Sequence, residues 1–316
     1  MDTNNSPLVS ILIPVYNREK IVGKTIASAL SQTYCNFELI ISDNCSTDNT
    51  WHILNQYASE NEKIKIFRTE ENIGPVRNWK KCLDLAKGEY VKLLFSDDMI
   101  SPNFIAETVQ LFDQDTAFVL SRIDIFGKYA IEGFGDYHHK KVYSKTDFIY
   151  HAILDHGVQF SVSPGCGLFR KSDLETSLMI DIPNHLGLDF KKMGAGNDLL
   201  IFLLTALRYK KIKIAPKAVA YFYAHDGSFT VANSLWLYYD YAKLYFLQKH
   251  YPNLIAKFKT LMWIRQASRK SAHPLLESTK PSLSVAIIIE YTLIKWIGKI
   301  KKHLPRLQIK SHFSAN

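Results

Sequence analysis

The sequence predicts an α/β protein with an open, mostly parallel, doubly wound sheet and a helical C-terminal extension. Three observations predict it. Through the first hundred residues, short, nearly unbroken runs of Ile, Leu and Val alternate with segments of helical periodicity. Runs of that kind mark strands buried on both faces, and βαβα alternation with short loops gives a parallel sheet. From about residue 233 the composition turns helical and aromatic. We therefore place one domain over 1–230 and an extension over 231–316.

The elements follow in order. "LVSILIPVY" is the first strand, and "REKIVGKTIASALSQ" a helix with Ile21, Val22, Thr25, Ile26, Ala29 and Leu30 on one face. "FELIIS" is the second strand; after it Ser46, Thr47 and Asp48 are suitable N-caps for a helix carrying Trp51, Ile53, Leu54 and Tyr57. "KIKIFR" is the third strand, followed by a helix from Pro75 to Ala86 stopped by Gly88. "YVKLLF" is the fourth. Further on, "AFVLSRIDIF" reads as a strand, a helix begins near Asp198, and another strand ends at Pro216.

Composition narrows the class. With 47% hydrophobic and 22% charged residues, 316 residues make a sizeable core. A net charge of +9 favours an anionic partner, and its excess lies late in the chain, which argues against nucleic acid. Cys35, Cys45, Cys82 and Cys166 form no CxxC pair, hence neither zinc ribbon nor disulfide framework. Residues 1–20 carry no basic start or apolar core, so a cytosolic location is expected. The tail is apolar over most of 282–297, then carries Lys299, Lys301, Lys302, Arg306 and Lys310 beside Trp296. That pattern suits a helix lying on an anionic membrane face.

In doubly wound sheets ligands bind beyond the carboxyl ends of the strands. Three polar clusters fall there: Asn17 with Arg18, Asp43 with Asn44, and Asp97 with Asp98. Two adjacent carboxylates at the end of a buried strand raise each other's proton affinity unless a cation lies between them.

Six segments in order, "VSILIPVYNRE", "FELIISDNCSTDNT", "NIGPVRNWKKCLDLAKGEY", "LLFSDDMISP", "GNDLLIFL" and "YAHDGSFT", resemble the inverting family 2 glycosyltransferases. The resemblance implies a GT-A nucleotide-sugar-binding fold and the following roles. Pro14, Tyr16 and Asn17 would pack against the base and ribose, and Asp43 would accept a hydrogen bond from uracil, making the donor UDP-linked. Asn44 stands where the family usually has aspartate. Arg77 would contact the nucleotide. Asp97 and Asp98 would hold Mn²⁺ or Mg²⁺ against the donor phosphates, with His225 as a further metal or diphosphate contact. Phe95 stands where many relatives have another acid. Asp198 would be the catalytic base, and "SVSPGCGLFRKSDL", with Gly165 and Gly167, would form the acceptor side. The implied activity is metal-dependent sugar transfer, with inversion, to a glycan or lipid-linked saccharide of a bacterial capsule or O-antigen. The implied place is the cytoplasmic face of the inner membrane.

Two other enzyme classes lack their loops. A dinucleotide-dependent oxidoreductase needs GxGxxG where this chain has "PVYNRE", and a nucleotidyltransferase needs a glycine-rich basic loop there. A catalytically silent homologue scaffolding a glycan-assembly complex is the alternative from another class.

Overall fold

A computed structural model describes residues 6–131, 136–154, 160–228, 235–269 and 275. Four parallel strands form one half of the sheet: β1 (Val9–Val15), β2 (Phe37–Asp43), β3 (Ile64–Arg68) and β4 (Tyr90–Leu93), in the order β3-β2-β1-β4. All seven residues of β1 and of β2 are buried, the polar Ser10, Glu38, Ser42 and Asp43 among them. Helices α1 (Val22–Leu30), α2 (Thr50–Glu60) and α3 (Pro75–Leu85) connect them.

The other half is built on a long parallel pair, β6 (Thr116–Gly127) and β9 (Lys211–Ala224). The short β8 (Gly167–Arg170) joins the halves, antiparallel to both β4 and β6. β5 (Met99–Ile100) and β7 (Val142–Ser144) add antiparallel edges to β9. The sheet is thus mostly parallel, and its antiparallel pieces are two to four residues long, too short for periodicity to reveal. Helices α4 (Phe104–Val109), α5 (Lys145–Leu154), α6 (Lys171–Ser177), α7 (Phe190–Met193) and α8 (Asn197–Leu207) complete this half. Phe118, Phe148, Phe169 and Phe202 meet beneath it, with Phe118–Phe202 centroids 5.0 Å apart and at 82°. Each such ring buried adds about 2–3 kcal/mol.

Three local expectations change. β9 does not end at Pro216: its pairing with β6 jumps from Ser121↔Ala215 to Arg122↔Val219. The intervening bulge holds the proline, which has no N–H for the ladder. Helix α2 begins after Asn49, and Ser46 turns back to Asp43 instead of capping it. Gly88 is not a helix cap, since α3 already ends at Leu85; a Cβ there would lie 2.5 Å from the Ser10 nitrogen.

The C-terminal helices α9 (Trp236–His250) and α10 (Ile255–Arg269) pack onto this body, α9 against α8. Among the described residues no helix is long and apolar enough to cross a membrane. The basic tail lies outside the described residues.

Candidate active site

Strand register assembles the site. Val15 pairs with Asp43, and Leu12 with Leu93, so the loops leaving β1, β2 and β4 emerge side by side. They open on a cavity of about 690 Å³ whose lining includes Pro14, Tyr16, Arg18, Asn44, Asn72, Trp79, Phe95, Asp97, Asp98, Asp198 and Tyr239.

The β1 loop is pinned by Asn17, which has φ 50°, a left-handed conformation that Asn tolerates better than most residues. Its N–H donates to Ser46 Oγ at 2.9 Å, and its Oδ1 accepts from the Thr47 N–H at 2.9 Å. Asp43 is wholly buried: it accepts from the Ser46 N–H and hydroxyl and pairs with Arg68 Nε at 3.3 Å. Asn44 reaches the cavity beyond it, its Nδ2 donating to Asn72 Oδ1 at 2.9 Å and its Oδ1 accepting from the Ile73 N–H at 2.9 Å. Pro14, Tyr16 and Asn44 therefore line the cavity, whereas Asn17 and Asp43 hold its loops in place from behind.

Asp97 and Asp98 lie together at the cavity, and the backbone N–H of Tyr223, on β9, donates to Asp98 Oδ1 at 3.1 Å. Burial, and then the charge of Asp97, raise the proton affinity of Asp98 well above the ordinary carboxylate range. The fully buried Lys92 beneath them donates to the Gly165 carbonyl, and burial lowers its pKa to about 7. Lys92 thus offers the acid pair only a weak counter-charge. Two carboxylates open to a cavity fit Mg²⁺ or Mn²⁺ completed by phosphate and water oxygens.

The three-ligand set expected from the sequence is not assembled. Among the described residues no group of three His, Cys, Asp or Glu side chains is gathered for a metal. His225 Nδ1 accepts from the Gly227 N–H at 3.1 Å, which places the neutral ring's proton on Nε2, 3.4 Å from Asp97 Oδ2. His225 is therefore arranged as a donor to Asp97, and its ring stacks on Tyr223.

Asp198, in the first turn of α8, also lines the cavity. Its Oδ1 accepts from the Gly196 and Leu199 N–H groups, both at 2.8 Å, and its Oδ2 from the Tyr239 hydroxyl at 2.6 Å. Burial nevertheless raises its pKa to about 6. Gly196 has φ 88°, and a Cβ there would meet the Ala242 Cβ at 2.9 Å, so α9 presses directly on the turn that presents the carboxylate.

Comparison with known proteins gives the family and the fold. The model of glycosyl transferase family 2 matches residues 10–178. The chain belongs to glycosyl transferase family 2. It is 44% identical over 96 residues to the putative teichuronic acid biosynthesis glycosyltransferase TuaG of Bacillus subtilis, covering 30% of this chain and 38% of that one. It is 36% identical over 111 residues to the UDP-Glc:alpha-D-GlcNAc-diphosphoundecaprenol beta-1,3-glucosyltransferase WfaP of Escherichia coli, covering 35% and 43%. The chain thus matches about two fifths of the length of these curated relatives. The crystal structure of S. aureus TarS 1-349 with UDP-GlcNAc superposes with a TM-score of 0.59 at 18% identity, over 94% of this chain and 81% of that one. The fold is therefore GT-A-like.

Within this family 2 chain the structure places one expected contact outside the cavity. Arg77 is exposed on α3, its Nη1 donating to the Ile73 carbonyl, and it does not line the cavity. Helix phase explains this: Val76, Trp79, Cys82 and Leu83 form the buried face, and Arg77 lies off it. That phase was already readable in the sequence. Arg18 occupies the cavity instead, its Nη2 3.6 Å from Asp97 Oδ2. Phe95, in place of a third acid, packs on Trp79 with centroids 5.5 Å apart and forms part of the wall. Tyr239 had no signal of its own within "SLWLYYDYAKLYFLQKHYP", because any of its aromatic residues could have been core.

Proposed function

We propose that this protein transfers one sugar from a nucleotide-sugar donor, UDP-linked, to a saccharide acceptor carried on a lipid, in surface-polysaccharide assembly. The observation that carries the reading is that one cavity is lined by two acidic sites, the Asp97–Asp98 pair and the half-buried, triply bonded Asp198. TuaG's name supports the polysaccharide role, and WfaP's the donor and acceptor classes.

Asp198 is the base of this reading. A carboxylate with a pKa of about 6 is mostly ionised at neutral pH yet retains more proton affinity than an exposed aspartate. The acceptor hydroxyl oxygen bonds to the anomeric carbon as its proton passes to Asp198. The bond from that carbon to the diphosphate oxygen breaks, and the nucleoside diphosphate leaves with the electron pair. Base and leaving group act on opposite faces, so configuration inverts. A divalent cation held by Asp97 and Asp98 would stabilise the charge developing on the departing diphosphate. Asn44 and Asn72 offer their amides at the base end, and Tyr16 and Pro14 their faces. The basic tail sequence supports placement at an anionic cytoplasmic membrane face.

The test is Asp198→Asn. Transfer should fall by three orders of magnitude or more while UDP binding with Mn²⁺ stays within about twofold, as loss of a general base alone predicts. Retained transfer removes Asp198 from the reaction, and joint loss of transfer and nucleotide binding assigns it to the donor site.

A further inference from the structure

Arg18 supplies the sole Arg or Lys side chain among the described residues lining the cavity, which also holds Asp97, Asp98 and Asp198. A diphosphate entering that cavity meets three carboxylates and one guanidinium. Four other cations are engaged elsewhere: Arg68 with Asp43, Lys191 with Asp181, Lys128 with Asp226, and Lys92 with the Gly165 carbonyl.

The guanidinium is incompletely bonded. Nη1 donates to the Tyr16 and Asn17 carbonyls at 3.4 and 3.2 Å. Nε is buried and has no hydrogen-bond partner among the described residues. Nη2 stands 3.6 Å from Asp97 Oδ2, close enough for charge attraction and too long for a good hydrogen bond. Meanwhile the backbone of Arg18 is fixed, its N–H donating to Thr50 Oγ1 at 2.8 Å, beside the pinned Asn17. A fixed main chain thus carries a guanidinium with spare donors next to a carboxylate suited to a cation.

We propose that Arg18 is an exchangeable counter-ion: it neutralises Asp97 in the empty site and turns to the donor diphosphate when a divalent cation takes Asp97. The inference rests on the donor-site reading above. A carboxylate that ligates a dication no longer attracts the guanidinium, and the dication repels it. Diphosphate oxygens offer the planar, forked donors a better partner than one distant carboxylate oxygen.

The exchange predicts opposite effects of one substitution on two ligands. Arg18→Gln should bind Mn²⁺ alone about tenfold tighter than wild type, because the competing cation is gone, and bind UDP with saturating Mn²⁺ about tenfold weaker, the scale of a charge-assisted bond. Arg18→Lys, which keeps the charge without the fork, should leave Mn²⁺ affinity near wild type and still weaken UDP. Arg77→Gln should change neither. Manganese paramagnetic resonance and calorimetry read the two affinities on the full-length protein. Weakening of both ligands in Arg18→Gln and Arg18→Lys alike would make Arg18 a structural prop and overturn the exchange. Unchanged UDP affinity in Arg18→Gln would overturn it as well. Failure of wild type to bind UDP with Mn²⁺ would instead overturn the donor-site reading and this inference with it.

Discussion

The hydroxyl of Tyr239, on α9, donates to Oδ2 of Asp198, at the start of α8, at 2.6 Å. This bond joins a helix of the C-terminal region to the carboxylate read as the base. The site therefore does not end with the domain drawn over 1–230; α9 completes it. The hydroxyl favours the ionised carboxylate and works against the larger effect of burial, which favours the protonated one.

Tyr239→Phe removes that donor and keeps the ring. Activity of the wild type should rise through about pH 6 as Asp198 ionises, then level off. The variant should lose activity below neutrality and recover toward wild type at high pH, its acid limb moved up by about one pH unit. A pH–rate profile measures this; a uniform loss at every pH would reduce Tyr239 to packing. The charged groups on neighbouring elements do not supply the effect: Asp173 on α6 pairs with Arg208, Lys191 on α7 with Asp181, and Asp240 on α9 with Arg265, while Lys192 on α7 is exposed.

The same carboxylate makes stability pH-dependent. Its folded pKa, about 6, lies above the ordinary 3.8, so the folded state holds the proton more tightly. Its favourable contribution is complete below about pH 4 and is lost as pH rises through about 6, a change of roughly 3 kcal/mol. Asp198→Asn should therefore melt higher than wild type at pH 7.5, with the difference disappearing near pH 4 in thermal scans. An unchanged gap across that range would mean the carboxylate is less confined than its bonding indicates.

Gly88 is held by close approach. Its N–H donates to Ser10 Oγ at 2.8 Å, and Ser10 in turn donates to Glu38. Gly88→Ala drives a methyl against the β1 backbone and should cost about 1–3 kcal/mol, seen as a lower urea midpoint. A midpoint equal to wild type would show that the 86–89 turn can yield.

Deleting residues from 281 onward removes the apolar, lysine-rich tail. The truncated chain should lose sedimentation with vesicles containing anionic lipid, and the intact chain should release from them as salt rises. Equal binding by both would place membrane contact elsewhere.

Much of the site was legible because its signals are local. An apolar run ending in Asp97 and Asp98 marks a buried strand delivering charge to an edge, and Asp198 stands where a helical pattern begins. Arg77 lies outside the cavity lining, as the phase of Val76, Trp79, Cys82 and Leu83 sets it off the buried face. Asp43 and His225 are different. No pattern in the chain says that Asp43 is taken by Ser46 and Arg68, or that Gly227 fixes the tautomer of His225.

The amino-acid sequence by itself determined the βαβα core, the edge on which the polar loops gather, and the acids at the ends of their runs. Hydrophobic periodicity and strand termination act over a few residues, so one chain read in order contains them. Only the tertiary structure decided which donors meet which acids. Arg18 reaches Asp97 because β1 and β4 are neighbours, and Tyr239 reaches Asp198 because α9 packs on the Gly196 turn. Those pairings depend on register and packing between distant segments, and a difference of one residue in either would bring a different side chain to the same carboxylate.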